Sequence, residues 1–241
     1  MICRRAHTAQ HRQSSLTVCL AAALLLLSTA ALPQAAPATR QSPAAAKKGA
    51  PPKTTHLLHL TAVTLENSGW TDERVLGVVR GAGRVLARCG VKLERVELVS
   101  LAVPPSYLDL ATPVARELAR DYRVARPAVY FVRGTRSSPA FEAESVGRGN
   151  TRSRPELADT VWITVNARDP SIALAHELAH VLMDSGEHSE ETGNLMRNET
   201  SAQNAALNPA QCARLRDTAT GNGLLKKATR AVPALTPPPG R

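Results

Sequence analysis

The sequence predicts one α/β domain built on a mixed, mostly parallel twisted sheet. Predicted strands and helices alternate along residues 57–183, which is typical of a layered α/β domain. Two short segments, Ala128–Val132 and Val161–Val165, are apolar throughout, as expected of central strands that are covered on both faces. Their positions place the core of the domain in the middle of the chain.

The formal net charge of +10 does not belong to this domain. Residues 1–53 and 226–241 contain eleven of the 30 lysines and arginines and none of the 20 acids. The span 54–225 is therefore close to neutral, and a neutral domain has few cations with which to displace the counterions of a nucleic acid. We expect no nucleic-acid partner.

The N-terminal residues 1–36 have the pattern of an export signal. Three arginines and no acid precede an apolar stretch at 16–27, and small residues follow it. The apolar stretch is short for a membrane-spanning helix, which needs about 20 residues. We expect a cleaved signal and a secreted or periplasmic protein without stable membrane insertion, with an uncleaved anchor as the alternative.

The remaining boundaries follow from composition. Residues 37–53 form an Ala/Pro/Lys-rich linker, residues 54–225 the folded domain, and residues 226–241 a basic, Pro-rich disordered tail. Outside the signal only Cys89 and Cys212 remain. In an oxidising compartment they form one disulfide, or else they stay buried and unpaired.

Periodicity and capping residues predict the individual elements. No strand is predicted after Asp184, and the polar segment Phe141–Val146 belongs at a sheet edge if it is extended. The predicted strands are 57–65, 91–103, 128–132 and 161–165, and the predicted helices are Thr71 to Gly90, 113–121, Pro170–Met183, and from Asn208-Pro209 to about residue 217.

The motif that carries chemistry is His-Glu-x-x-His, at His176, Glu177 and His180. Side chains four residues apart lie on one face of a helix, so the two imidazoles can bind one Zn²⁺ ion together. Glu177 projects beside that face, where it can act as the general base toward a metal-bound water. The pattern arises by chance in on the order of one chain in a hundred of this length. Here it lies in an apolar helix, where uncoordinated polar side chains would be costly to bury.

The continuation of the motif resembles the metzincin zinc endopeptidases. That family adds a third histidine after a glycine turn and a methionine-bearing turn beneath the metal, here His188 and Met196 within Asn194-Leu195-Met196. The resemblance implies an antiparallel edge strand that aligns substrate, an active-site helix and a small, strand-free C-terminal subdomain with one helix. Motif identity is confined to residues 176–196.

The sequence departs from the family pattern at two positions. Met183 stands at the family's glycine position, and His188 comes two residues late, so we expect extra helix and a helix-ending conformation at Gly186. The third ligand therefore has acidic alternatives, which are Asp184, Glu187, Glu190, Glu191 and Glu199. His56 and His59, on a predicted strand, are expected to be ordinary structural residues.

Two functions follow from these observations. The first is a secreted zinc-dependent endopeptidase that acts on a peptide or protein substrate. The alternative is an exported metal-binding or envelope-interaction module that keeps the site and lacks significant peptidase activity. The substrate preference and the oligomeric state leave no trace in the sequence.

Overall fold

The computed structural model describes residues 53–135 and 147–228, which are built around one six-stranded sheet. Five strands lie in the order β2-β1-β4-β7-β6, and β8 pairs with the first part of β1. A separate two-stranded ladder joins β3 and β5. The strands are β1 (His56–Leu65), β2 (Val91–Leu101), β3 (Asp109–Leu110), β4 (Ala128–Val132), β5 (Gly134–Thr135), β6 (Gly147–Asn150), β7 (Thr160–Thr164) and β8 (Leu225–Lys227).

The directions of the strands confirm the predicted fold class. β2, β1, β4 and β7 run parallel to their neighbours, whereas β6 runs antiparallel to β7 at one edge. Parallel neighbours need crossover connections, and a helix lies in the one from β1 to β2. The helices are α1 (Asp72–Leu86), α2 (Thr112–Asp121), α3 (Pro170–Met183) and α4 (Pro209–Gly221).

The helices begin where the sequence provides a cap. Thr71 accepts a hydrogen bond from the backbone N–H of Arg74 at the start of α1. Asn208 and Gln211 form a reciprocal capping box at the start of α4, as Asn-Pro predicted. After α1 a short 3₁₀ turn ends at Gly90, whose φ of 76° is the left-handed conformation that glycine adopts without strain.

Hydrophobic side chains pack on both faces of the sheet. Helices α1, α3 and α4 cover one face, where Phe131 and Ile163 lie in the core. Helix α2 covers the other face, where Tyr130 and Trp162 stack with ring centroids 4.3 Å apart. Successive residues of β4 therefore contribute to opposite cores, which explains why the whole strand is apolar.

One disulfide joins the turn after α1 to the last helix of the domain. Cys89 at the end of the 3₁₀ turn is bonded to Cys212 in α4, with their Cα atoms 5.0 Å apart and a sequence separation of 123. The bond fixes α4 to the turn that precedes β2. Of the two cysteine states that the sequence allowed, the structure has the paired one.

One detail of the prediction is wrong, and another concerns residues that the structure does not describe. The C-terminal part is not free of strands, because Leu225–Lys227 pairs antiparallel with β1, and this strand includes Lys226 and Lys227 of the predicted tail. Three residues are too few for a periodic signal, so the pairing depends on the open backbone of β1. The predicted edge segment Phe141–Val146 lies outside the described residues, and the described edge strand is Gly147–Asn150. The predicted signal, nearly all of the linker and residues 229–241 also lie outside them.

Candidate metal centre

Helix α3 carries the motif and is buried along most of its length. Every residue from Ala173 to Met183 is buried, so the helix lies inside the domain rather than on its surface. It packs on α1, β6 and β7. The two histidines and the glutamate are consequently held by surrounding structure, with only 3%, 9% and 6% exposure for His176, Glu177 and His180.

Backbone carbonyls orient the two helical histidines. His176 Nδ1 lies 2.6 Å from the carbonyl oxygen of Leu195, and His180 Nδ1 lies 2.7 Å from that of Ser185. A carbonyl can only accept, so each Nδ1 carries the hydrogen and donates it. Each Nε2 of the neutral ring is left with its lone pair, and this is the tautomer that a metal ligand requires.

The two lone pairs face each other. His176 Nε2 and His180 Nε2 lie 3.0 Å apart, close to the roughly 3.3 Å expected for two imidazoles on one tetrahedral zinc. Burial and the neighbouring His180 lower the pKa of His176 to about 4, and burial likewise lowers the pKa of His180. Two neutral acceptors at this distance repel each other unless a cation lies between them.

His188 completes the group. The ligand nitrogens of His176, His180 and His188 all lie within 4.8 Å of one another, and His188 is exposed while the other two are buried. Its ring centroid lies 5.4 Å from that of His176 and 4.9 Å from that of His180. Three neutral imidazoles with one open side form the donor set of a catalytic zinc site, so the residues present fit Zn²⁺.

The acidic alternatives for the third ligand are engaged elsewhere or lie outside the group. The Asp184 carboxylate accepts a hydrogen bond from the N–H of Arg152, 2.9 Å away. Glu187 pairs with Arg214 at 2.8 Å, and Glu191 accepts from Asn194 at 3.0 Å. Among the residues that the structure describes, neither these three nor Glu190 or Glu199 joins the histidine group.

Helix α3 ends at Met183 as predicted, but the left-handed residue that follows it differs from the prediction. Asp184, and not Gly186, adopts the left-handed conformation after α3, with φ 47° and ψ 51°. The prediction was wrong because aspartate also tolerates this region, and here its carboxylate is held by Arg152. The N–H of Ser185 then donates to the carbonyl of His180, and the chain turns back toward the metal centre.

Glu177 is buried beside the histidines and contacts the edge strand. Its Oε2 accepts a hydrogen bond from the backbone N–H of Gly149 in β6, at 2.5 Å. Burial raises the pKa of Glu177 to about 7, although this hydrogen bond opposes the rise. A carboxylate with a pKa near neutrality can both accept and return a proton at neutral pH.

Gly149 is a site residue that the sequence analysis missed. A Cβ atom built on Gly149 would lie 2.6 Å from the carbonyl oxygen of Glu177, a distance that side chains essentially never show. The strand therefore contacts the helix backbone directly, and glycine alone permits that approach. A lone glycine in Arg148-Gly149-Asn150 gives no local signal of this contact.

The segment containing Met196 supports the histidines through its backbone. Leu195 provides the carbonyl that orients His176, and the carbonyl of Met196 accepts from the N–H of Ser189, next to His188, at 2.8 Å. Asn194 Oδ1 in turn accepts from the N–H of Met196. Met196 itself is 1% exposed within the core. Its role as the floor of the site stays a prediction, whereas the supporting carbonyls could not be read from the sequence.

Comparison with known proteins adds a structural likeness. Neither a protein-family model nor a curated protein matches the sequence. Metalloproteinase-II from Bacteroides fragilis is similar in structure, with a TM-score of 0.50 and 15% identity over 69% of this chain. The chain spans only 54% of the length of that protein.

Two archaeal proteins are less similar. Archaemetzincin from Methanopyrus kandleri has a TM-score of 0.44 and 12% identity, covering 68% of this chain and 96% of its own. A zinc-dependent peptidase from Methanocorpusculum labreanum has a TM-score of 0.37 and 11% identity, covering 65% and 99%. Likenesses this low add nothing to the interpretation of the site.

The fold and the site agree with each other. A mostly parallel sheet with an antiparallel edge strand lies against a helix that carries two of three clustered histidines. The donor set and the tautomers fit zinc without reference to any other protein. The described part of this chain thus has a fold similar to that of metalloproteinase-II from Bacteroides fragilis, with a three-histidine centre suited to Zn²⁺.

Proposed function

We propose that the protein is an exported zinc-dependent endopeptidase in which Glu177 is the general base. One observation carries the proposal: two helical histidines are fixed by carbonyls so that their free nitrogens converge with His188, and a buried glutamate lies beside them. Bound zinc would supply a Lewis acid that polarises the scissile carbonyl and lowers the pKa of water.

The protein's own groups would then handle the proton. Glu177 would accept a proton from the attacking water and deliver it to the leaving amine. Such a double transfer works best when the pKa of the carboxyl group lies near the working pH. The value of about 7 that burial confers suits both transfers at neutral pH. The Gly149 N–H would keep the carboxylate in place between them.

The edge strand offers a way to hold substrate. β6 pairs with β7 on one side, and within residues 53–135 and 147–228 no strand pairs with its other side. An extended peptide can add to such an edge by backbone hydrogen bonds, without a free terminus. This is the feature that favours an endopeptidase over an enzyme that trims chain ends.

Substitution of Glu177 by Gln tests the mechanism. We expect Glu177→Gln to retain one equivalent of zinc by metal analysis and to lose about 10²–10⁴-fold in cleavage of terminally blocked peptides. Glu190→Gln is the matched control, because it removes an exposed carboxylate from the adjacent loop. Equal turnover by Glu177→Gln and the parent would exclude the assigned base.

The same assay separates the second candidate function. A parent protein that binds one zinc and cleaves no member of a broad peptide library would support the metal-binding module instead. Export is a separate claim that depends on residues 1–36, and N-terminal sequencing of the protein recovered outside the cytoplasm would test it. No helix within the described residues is long and apolar enough to cross a membrane.

A further inference from the structure

A pocket of about 320 Å³ lies where the start of β1 meets the 3₁₀ turn and α4. None of the three clustered histidines lines it, so it is separate from the metal centre. Its lining includes Lys53, His56, Arg88, Cys89, Gly90 and Arg216.

The lining of the pocket is cationic. Three of its residues, Lys53, Arg88 and Arg216, carry positive charge, and no carboxylate of the described residues lines it. Lys227 adds a fourth cation close by, since it pairs with His56 across β8 and β1. The span 54–225 is near neutral and Lys53 and Lys227 lie just outside it, so the two ends of the domain concentrate positive charge at this pocket.

The two arginines are held in place before any ligand binds. Arg88 Nη1 donates to the carbonyl of Ala205 at 2.8 Å, and Arg216 Nη1 donates to that of Cys89 at 2.8 Å. A guanidinium has five N–H groups, so others remain on each to bind a ligand. The disulfide contributes as well, because Cys89 follows Arg88 and Cys212 lies one helical turn before Arg216.

His56 adds a buried polar group to the same wall. It is 9% exposed, and its Nδ1 is hydrogen-bonded to Thr55 Oγ1 at 2.8 Å. Burial, then Arg216 and Lys227, lower its pKa, with a smaller opposing effect from Asp217. Cations therefore dominate the field inside the pocket.

We propose that this pocket binds a phosphate-type oxyanion through Arg88, Arg216 and Lys53. Planar guanidinium groups match the paired oxygens of a phosphate. The charge of three cations also suits a doubly charged phosphate better than it suits a singly charged carboxylate. The volume leaves room for an attached organic group. The ligand is thus free phosphate, a small phosphorylated molecule or a phospholipid headgroup, which share this chemistry.

Titration of the full, disulfide-bonded protein with inorganic phosphate tests the site, with NaCl at matched ionic strength as the reference. We expect phosphate to shift the ring NMR signals of His56 and to leave those of His59, farther along β1, unchanged. Lys53→Gln and Arg216→Gln should each weaken phosphate binding roughly tenfold or more, the effect of losing one charge-assisted hydrogen bond.

The control variant is Arg214→Gln, which removes the same charge from the same helix on a residue that pairs with Glu187. Lys53 is exposed, so Lys53→Gln removes a cation of the pocket without removing a buried side chain that the fold needs. Equal weakening in all three variants, or a shift produced equally by chloride, would overturn the proposal.

A second experiment tests a lipid source of the phosphate group. If inorganic phosphate does not bind, binding to vesicles of anionic phospholipid is compared with binding to vesicles of phosphatidylcholine. The proposed site is supported if the protein binds the anionic vesicles and if Lys53→Gln and Arg216→Gln weaken this binding while Arg214→Gln does not. If the protein shows no such binding, the proposal is refuted.

Discussion

The contact between Gly149 and helix α3 makes alanine at position 149 a demanding substitution. The new Cβ would lie 2.6 Å from the Glu177 carbonyl oxygen and 3.2 Å from its Oε2, whereas ordinary contact begins at 3.4 Å. Either β6 or α3 must move by about 0.8 Å, because backbone cannot rotate away as a side chain can. Overpacking of this kind costs about 1–3 kcal/mol in the free energy of unfolding.

The displacement acts on the residue that we assign as the base. A shift approaching 1 Å in a catalytic group lowers turnover by on the order of 10²-fold. We therefore expect Gly149→Ala to lose about 10²-fold in kcat for peptide cleavage while it still binds one equivalent of zinc, since His176 and His180 keep their carbonyl partners.

Two glycines provide matched controls. A Cβ on Gly186, close to the metal centre, or on Gly77, within α1, would meet nothing within 4 Å. Gly186→Ala should leave activity and melting temperature nearly unchanged, and Gly77→Ala should gain up to about 1 kcal/mol from helix propensity. A Gly149→Ala protein with the parent's kcat and melting temperature would refute the close approach of β6 to α3.

Three further predictions concern the disulfide, His56 and His188. Cys89→Ser with Cys212→Ser should lower the free energy of unfolding by about 2–5 kcal/mol, measured by urea denaturation against the parent, because the bond closes a 123-residue separation. His56 has a lowered pKa in the folded state, beside Arg216, Lys227 and Asp217, so the unfolded chain takes up the proton first. The parent should therefore lose more stability than His56→Gln as the pH falls below about 6.5 in phosphate-free buffer, and an equal loss would contradict this. His188→Ala should weaken zinc binding by more than the roughly 10–100-fold that follows the loss of a hydrogen bond supporting a ligand. Glu187→Gln should weaken zinc binding by less than that. If Glu187→Gln instead weakens zinc binding more than His188→Ala does, Glu187 is the third ligand.

The main strands and helices were predictable because local patterns specify them. Thr71 and Asn208 cap their helices, and the apolar stretches Ala128–Val132 and Val161–Val165 coincide with the two central strands to within a residue. These features depend on neighbours in sequence, so they need no knowledge of the fold. The strand Leu225–Lys227 was missed because a partner 170 residues away forms it.

The candidate metal centre likewise has parts that the sequence predicted and parts that it did not. The spacing of His176 and His180 on one helix defined a metal pair, since helical geometry fixes which side chains share a face. The end of that helix at Met183 was predicted, but the left-handed residue after it was assigned to Gly186 and is Asp184, whose carboxylate accepts a hydrogen bond from the N–H of Arg152, 32 residues away.

By itself, the sequence determined the layered sheet and the helix that carries His176 and His180, and it offered His188 as one of several candidates for the third zinc ligand. Tertiary structure decided the tautomers of two of those histidines, the contact of Glu177 with Gly149, the pairing of Cys89 with Cys212 and the cationic pocket beside it. The physical reason is range: helical and strand periodicity act over a few residues, whereas carbonyl partners, backbone approach and burial arise between segments that only the folded chain brings together.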